Sequence, residues 1–420
     1  MEKLTERLLL REFTKQDVDA VAEFRSVYFS WIGTSGLSIL MFSSRTFLLT
    51  VLCSIFLVFP NACNGEDPMS NPDKDPMDSP YTVGVYYYPW YSGDFHGGRY
   101  MRKELIPPQL PMLGEYDDRD PAVIAQHLKW SRQANISLWV ASWWGPDSRE
   151  DQTLLQHILP HDELDDMQIA LFYETTGRTR DFSVFNRVAP DIAHIAERYF
   201  DHPNYLRIDG RPVLFVYLTR VLSRNGTLAE VVEAMRATAR EAGHDIYIVG
   251  YEVFGQPPTF SETIGLLDAV TNYDVYGSMG AKGYAGQAAV DRYYAAQASW
   301  RELAHAEGAA FIPATTPGFN DKGVRDGHEA VSRKLSEEAE FGSLFRAMLA
   351  QAIEYADEST GRMLMVTSWN EWHEDTQIEP VEEGEATRLD DSETGEAFSE
   401  GLDYEGYGER YLEILREGTE

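Results

Sequence analysis

Two glutamates near the carboxyl end of the chain could do acid and base chemistry together. Glu371 and Glu374 stand three residues apart in the segment WNEWHE, residues 369–374. On a turn or at the start of a helix, this spacing places both side chains on one side, with Cβ atoms about 5 to 6 Å apart. One carboxyl can then be ionised while the other is protonated, the division on which glycoside hydrolysis depends. We predict a catalytic pair, rather than two charges that only favour a helix N-terminus.

Aromatic, carboxylate and amide side chains also follow the ends of other apolar runs, where Lys and Arg are sparse. Sugars bind to such surfaces because their C–H faces stack on aromatic rings and their hydroxyls bond to acids and amides. A phosphorylated substrate would need more cations. The candidate sugar-binding residues are Tyr88, Trp90, Trp144, Glu174, Tyr217, Tyr273, Asn370, Trp372 and His373.

A metal site is the competing interpretation, because His373 adjoins Glu374 and Asp375. The sequence contains no H-E-x-x-H motif, and further ligands would have to come from scattered positions such as His96. We therefore predict catalysis without a metal or another cofactor. His373 is expected to bond to a sugar hydroxyl or to orient a carboxylate.

Eight apolar runs precede these side chains and predict the strands that position them. Runs that are apolar throughout are typical of strands covered on both faces by helices. We predict an α/β fold, a single (β/α)8 TIM barrel with the catalytic site at the C-terminal ends of the strands. A doubly wound open sheet is the alternative, but no G-x-G-x-x-G follows the first run. The runs are residues 82–88, 138–143, 169–173, 212–217, 246–251, 269–273, 311–315 and 363–368.

Helical patterns lie between these runs. Asp120 is the expected N-cap of the first helix, with Pro121 in its first turn. The barrel domain is expected to span residues 81–420, with a solvated acidic insertion over about residues 381–402. The predicted helices are residues 121–133, 183–200, 228–242, 288–307, 342–356 and, from its apolar spacing, 407–415.

The first 80 residues are not expected to belong to the barrel. Residues 1–40 contain a fragment that resembles the opening of a GNAT-type acetyltransferase, too short for a domain, and indicate a start placed too early or a fusion scar. The apolar run 47–59 is shorter than a spanning helix, so residues 41–63 predict a signal peptide. Ala62-Cys63 resembles a lipoprotein cleavage site, with an ordinary cleaved signal as the alternative. We expect export to the periplasm or cell surface, lipid attachment through Cys63, and a linker over residues 64–80.

Composition limits the classes of partner. The 420 residues include 36 Lys and Arg against 68 Asp and Glu, a net charge of −32. Such a field repels phosphate backbones, so we expect a polysaccharide or oligosaccharide substrate and no nucleic acid. Both cysteines, Cys53 and Cys63, precede the barrel, which excludes thiol chemistry in the body of the chain.

Several motifs, in chain order, resemble glycoside hydrolase family 99, the endo-α-mannosidases and bacterial endo-α-1,2-mannanases. They are YYPWY (87–91), SWWG (142–145), HP (202–203) with RIDGRP (207–212), PG (317–318), and WNEWHE with TQIE (369–379). The resemblance implies retaining cleavage through a 1,2-anhydro sugar. Glu371 would deprotonate the sugar's own 2-hydroxyl, and Glu374 would be the acid and base. The subsite residues that it implies are Tyr88, Trp144, Glu174, Tyr217 and Tyr273.

Some positions depart from the family pattern. Asp375 stands where the family usually has Gly, and an acidic segment follows Glu379. We expect added charge and lost flexibility beside the catalytic pair, which leaves a modified α-glycan of a marine or gut polymer open as an alternative to mannan. Trp144 resembles the bacterial form, which accepts mannose in the neighbouring subsite. The alternatives are a family-99-like protein of polysaccharide biosynthesis and a surface lipoprotein that binds glycan without cutting it, although a pure binder would not need the glutamate pair.

Overall fold

A curled parallel sheet forms the centre of the fold in the computed structural model, which describes residues 79–258 and 263–420. A short antiparallel strand, Arg207–Ile208, pairs with β4 of this sheet. The parallel strands are β1 (Val83–Tyr87), β2 (Ile136–Trp143), β3 (Gln168–Tyr173), β4 (Arg211–Val216), β5 (Tyr247–Tyr251), β6 (Ala269–Thr271), β7 in two segments (Ala310–Phe311 and Ala314–Thr315) and β8 (Leu364–Val366).

The sheet closes on itself through the two segments of β7. The first segment pairs with β6, and the second pairs with β8, which in turn pairs with β1. Pro313 lies between the segments and has no N–H for a ladder, but its carbonyl accepts a bond from Met365 of β8 (N···O 2.9 Å). Each of the eight predicted runs overlaps one strand of this ring, and the bounds differ by at most two residues at either end. The predicted (β/α)8 barrel is therefore confirmed, and the open sheet is not.

Helices cover the outside of the barrel, and burial of the strands on both faces explains their apolar sequences. The first longer helix follows its predicted cap, because the Asp120 side chain accepts a bond from the N–H of Ala122 (2.8 Å). The helices are α1 (Pro121–Gln133), α2 (Arg149–Thr153), α3 (Thr175–Arg178), α4 (Arg180–Ser183), α5 (Val188–Arg198), α6 (Thr219–Arg224), α7 (Leu228–Glu241), α8 (Val275–Ser278), α9 (Gln287–Ala306), α10 (Ser343–Ala352) and α11 (Arg410–Thr419).

One predicted helix starts too early. The prediction was residues 183–200, whereas α5 covers Val188–Arg198. Pro190 lies in the first turn of α5, where its missing N–H breaks no helical bond. A helix that began at residue 183 would place Pro190 beyond its first turn, where the missing N–H would cost one helical bond.

The acidic segment forms a hairpin instead of a loop. Strand β9 (Val381–Thr387) pairs antiparallel with β10 (Tyr404–Gly408), and only residues 388–403 connect them. Most side chains of β9 are exposed, as expected of a solvated segment. The strand was not predicted because its sequence is rich in Glu, which is depleted in strands. Tyr407 therefore lies in β10, and the last helix begins at Arg410 rather than at residue 407.

The predicted acetyltransferase-like fragment, signal peptide and Cys63 lie outside the described residues. Among the helices that are described, none is both long enough and apolar enough to cross a membrane.

Candidate active site

The predicted pair lies on a short turn directly after β8, and we call residues 368–379 the β8 turn. Glu371 caps a single 3-10 turn, Trp372–Glu374, and its carboxylate accepts the N–H of His373 (3.0 Å). The Ser368 hydroxyl accepts the N–H of Glu371 (2.9 Å). These local bonds hold the two glutamates in one short loop at the C-terminal end of the barrel.

The carboxyl of Glu371 is hydrogen-bonded to a histidine side chain. Oε1 of Glu371 lies 3.1 Å from Nδ1 of His373, and Nε2 of His373 lies 3.3 Å from the carbonyl of His96. A carbonyl can only accept, so Nε2 carries a proton and one further proton is shared between Nδ1 and the carboxyl. Burial raises the pKa of Glu371, the bond from His373 opposes this, and the charge of Glu374 raises it further. The pair can therefore hold or release one proton at Glu371.

Glu374 has different partners. Its Oε2 accepts bonds from the hydroxyls of Tyr273 (3.2 Å) and Tyr276 (3.1 Å), and its Oε1 accepts a bond from Nη1 of Arg325 (2.9 Å). The sequence analysis missed Tyr276 and Arg325. Tyr276 follows β6 at the same barrel end as Tyr273, a signal that could have been used, whereas Arg325 lies in a loop without a recognisable pattern.

A third carboxyl faces the same site. Burial raises the pKa of Glu174 to about 8, with further increases from nearby acids including Glu371 and Glu374, whereas the bond from Ser142 (2.7 Å) opposes the rise. The Ser142 hydroxyl in turn accepts the indole N–H of Trp144 (2.9 Å). At neutral pH Glu174 is therefore mostly protonated and adds no full charge beside the pair.

Aromatic rings form the rest of the site. The hydroxyl of Tyr88 donates to that of Tyr273 (2.5 Å), and Tyr217 packs against the ring of Tyr273 (5.7 Å between centroids). Trp90 stacks on His96 (4.5 Å, 9° between planes) and meets the edge of His373. Trp90, Trp144 and Tyr217 are partly exposed, so their faces can contact a sugar.

Two predicted sugar-binding residues do not reach the surface of the site. The Asn370 amide is fully buried and bonds to both the N–H (2.8 Å) and the carbonyl (3.1 Å) of Tyr88. The buried Trp372 donates its indole N–H to Glu379 (2.8 Å), which also pairs with His127 (3.0 Å). Asn370 and Trp372 therefore support the β8 turn from below, and their predicted contact with substrate stays a prediction.

Asp375 takes the conformation that explains why glycine suits its position. Its φ is 49°, in the left-handed region. Its buried carboxylate bonds to Nε of Arg102 (2.5 Å) and Nη2 of Arg333 (3.1 Å). Burial opposes ionisation, but the two arginines outweigh it and lower the pKa of Asp375. The negative charge of Asp375, which we expected to act beside the catalytic pair, is therefore offset by Arg102 and Arg333.

Within the described part of the chain, no three His, Cys, Asp or Glu side chains are arranged as metal ligands. Both ring nitrogens of His373 already have protein partners, Glu371 and the carbonyl of His96. The arrangement offers two carboxyls with separate partners beside exposed aromatic faces, which suits acid and base catalysis on a sugar.

Comparisons with known proteins match this description. The sequence model of glycosyl hydrolase family 99 matches residues 81–393. The glycoprotein endo-alpha-1,2-mannosidase of Mus musculus is 23% identical over 337 residues, which cover 71% of this chain and 68% of the mouse protein. The Xenopus laevis protein of the same name is 23% identical over 350 residues, 71% of this chain and 70% of that protein.

A solved structure supports the fold. The GH99 endo-alpha-mannosidase of Bacteroides thetaiotaomicron, in complex with bis-tris-propane, superimposes with a TM-score of 0.56 at 22% sequence identity. The match covers 80% of this chain and 95% of the bacterial chain. The shared architecture therefore includes nearly all of that enzyme.

Proposed function

Because this chain belongs to glycosyl hydrolase family 99, and is thus a glycoside hydrolase, we propose that it is a retaining, endo-acting α-glycosidase. Its proposed substrate is α-mannan or a related α-linked polysaccharide. The observation that carries the proposal is the contrast between Glu371, which shares a proton with His373, and Glu374, which has tyrosine and arginine partners.

In the proposed first step, Glu371 removes the proton of the sugar's 2-hydroxyl, and that oxygen attacks the anomeric carbon. The bond to the leaving oxygen breaks as Glu374 gives that oxygen a proton, and a 1,2-anhydro sugar results. In the second step Glu374 takes a proton from water, the water opens the anhydro ring, and the 2-oxygen regains its proton from Glu371. The bond to His373 supports this role: with the shared proton on Nδ1 of His373, Glu371 is a carboxylate that can accept the proton of the 2-hydroxyl and later return it.

Endo cleavage and a mannose substrate rest on separate grounds. The partly exposed faces of Trp90, Trp144 and Tyr217 could stack on sugar units on either side of the cleaved bond. Trp144 resembles the form of the family that accepts mannose in the neighbouring subsite. The mouse and frog relatives are named for an endo-α-1,2-mannosidase activity, so an α-1,2 linkage is the first choice.

The test is digestion of α-mannans by the chain from residue 66 onward. We expect oligosaccharides with new reducing ends, first released as the α anomer in proton NMR, and none from a double variant Glu371→Gln/Glu374→Gln. Monosaccharide as the sole product would remove the endo assignment. No product from any α-glycan, with glycan binding retained, would favour the binding lipoprotein.

We also propose that the protein is exported and attached to a membrane by lipid on Cys63. The apolar run 47–59 followed by Ala62-Cys63 supports this proposal. Metabolic labelling with palmitate should mark the full chain and not a Cys63→Ser variant. Label on both, or on neither, would contradict lipid attachment at this residue.

A further inference from the structure

Arg325 makes an ion pair with the proposed acid of the reaction. Its Nη1 lies 2.9 Å from Oε1 of Glu374 and 3.3 Å from Oδ2 of Asp321. The other carboxylate oxygen of Glu374 accepts bonds from the neutral hydroxyls of Tyr273 and Tyr276. In the described part of the chain, Arg325 is thus the one cation paired with Glu374.

We propose that Arg325 is a positioning residue that stabilises the carboxylate of Glu374 while Glu374 gives its proton to the leaving oxygen. In the second step, Arg325 keeps the same carboxylate oriented to take a proton from water. The inference rests on the proposed function, because it assigns Arg325 a part in the same two steps. An ion pair acts in this way because it strengthens as the carboxyl ionises, so it favours the transition state over the protonated ground state.

The neighbouring charges explain why a cation is needed at this position. When Glu374 ionises, it becomes a second negative charge near Glu371, whose carboxylate must also be ionised to act as the base. Like charges oppose ionisation, and the hydroxyls of Tyr88, Tyr273 and Tyr276 supply no charge to offset them. Arg325 supplies that charge from the loop after β7.

The loop itself orients Arg325. Asp321, which is 1% exposed, accepts bonds from Nη1 of Arg325 and from Nδ1 of His328 (2.6 Å). The main-chain carbonyl of Asp321 also accepts the N–H of Arg325 (2.9 Å), which closes one turn. The loop is tied to the β8 turn because the N–H of Asn320 donates to the carbonyl of Glu374 (2.7 Å). Arg325 therefore approaches Glu374 from a fixed direction.

The experiment compares leaving groups. Arg325→Gln, Arg325→Lys and wild type are assayed on the mannan that the enzyme cleaves and on a dinitrophenyl glycoside of the same oligosaccharide, whose leaving group needs no proton. We expect Arg325→Gln to lower kcat on the glycan by about 10²-fold, with KM nearly unchanged, and to have a much smaller effect on the aryl glycoside. Arg325→Lys, which keeps the charge, should recover most of kcat.

A matched control lies in the same loop. Lys322 pairs with Glu400 (2.9 Å) and does not contact Glu374, so Lys322→Gln removes one positive charge and should leave kcat on both substrates unchanged. Equal losses for Arg325→Gln on the two substrates, no loss on either, or a similar loss in Lys322→Gln would overturn the assignment.

Folding is checked by thermal unfolding of each variant. If Arg325→Gln does not fold, Asp321→Asn takes its place, since it weakens the orientation of Arg325 and should give a smaller loss with the same dependence on the leaving group. Absence of that dependence would also overturn the assignment. A wild-type enzyme that cleaves neither substrate would instead remove the proposed function, and this inference with it.

Discussion

Each of the three carboxyls in the site has a different partner, and that partner determines its chemistry. Glu371 shares a proton with His373, Glu374 faces Arg325, and the carboxyl of Glu174 accepts a bond from the hydroxyl of Ser142. A histidine can accept a proton, an arginine fixes a charge, and a hydroxyl does neither. Three residues of one type can therefore have different roles within one site.

Substitution of each member of the pair separates participation by the 2-hydroxyl from a two-step displacement on the enzyme. Glu371→Gln and Glu374→Gln should each lose about 10²- to 10⁴-fold in kcat on the glycan, because each removes a proton transfer. Glu374→Gln should keep more activity on an aryl glycoside whose leaving group needs no protonation. Intact-mass spectrometry during turnover should find no sugar ester on Glu371. A covalent adduct at that residue would contradict the proposed mechanism.

The raised pKa of Glu174 makes a prediction about stability. Its pKa is about 8 in the folded protein, mainly because of burial, against 4.5 for an ordinary glutamate. The folded state therefore binds this proton more tightly than the unfolded state, so the stabilisation is full below pH 4.5 and is lost as the pH rises through 8. Between these values wild type should lose on the order of a few kcal/mol of unfolding free energy relative to Glu174→Gln, which cannot titrate.

Urea unfolding at several pH values measures this difference. Groups that do not interact with Glu174 titrate equally in both proteins, so their effects cancel when the two curves are subtracted. Curves for wild type and Glu174→Gln that stay parallel from acid to alkaline pH would show that Glu174 is ionised in the folded protein.

At the level of elements, the β8 turn is held by residues from distant parts of the chain. Arg102, from the loop after β1, and Arg333, from the loop before α10, both bind Asp375. Arg102 also donates to the carbonyl of Glu405 in β10 (3.0 Å), so the hairpin is connected to the catalytic turn. The hairpin therefore contributes to the site through its backbone, although most charged side chains of β9 face solvent.

Asp375, Arg102 and Arg333 form a buried cluster, and we expect its disruption to destabilise the fold. Asp375→Asn leaves two buried guanidinium groups without their carboxylate, and such a loss typically costs about 3 to 5 kcal/mol. Replacing Arg102 by Met together with Asp375→Gly should recover part of this loss, because it also removes a buried charge and relieves the positive φ. Urea unfolding measures each variant.

Glu385→Gln provides the control. Glu385 is exposed on β9, and the substitution should change the unfolding free energy by less than about 0.5 kcal/mol. If Asp375→Asn unfolds at the same urea concentration as Glu385→Gln, the buried cluster does not stabilise the turn.

At the level of the whole molecule, the barrel should work without a metal and without the first 65 residues. The described residues contain the complete ring of strands and both glutamates, and both imidazole nitrogens of His373 have protein partners. The chain from residue 66 should keep full activity after dialysis against a chelator. Activity that is lost in chelator and restored by one divalent ion would support a metal-dependent mechanism. A truncated chain that does not fold would show that the N-terminal segment is part of the domain.

The eight strands could be predicted from the sequence because burial on both faces leaves a local record, a continuous apolar run. The start of α5 and the strand β9 could not be predicted in this way. The start of α5 depends on the position of Pro190 in the first turn, and the exposed glutamates of β9 do not form an apolar pattern. Most site residues could be predicted from the ends of these runs, because all C-terminal strand ends of a parallel barrel lie at one face.

The sequence by itself determined the ring of strands and the pair Glu371 and Glu374, because residue type and short spacing are local properties. The tertiary structure alone decided the partners: Arg325 for Glu374, and Arg102 and Arg333 for Asp375. It also decided that Asn370 lies beneath the site. Closure of the barrel places loops that are far apart in the chain beside one another, and ionisation depends on those neighbours through distance and burial, which sequence separation does not record.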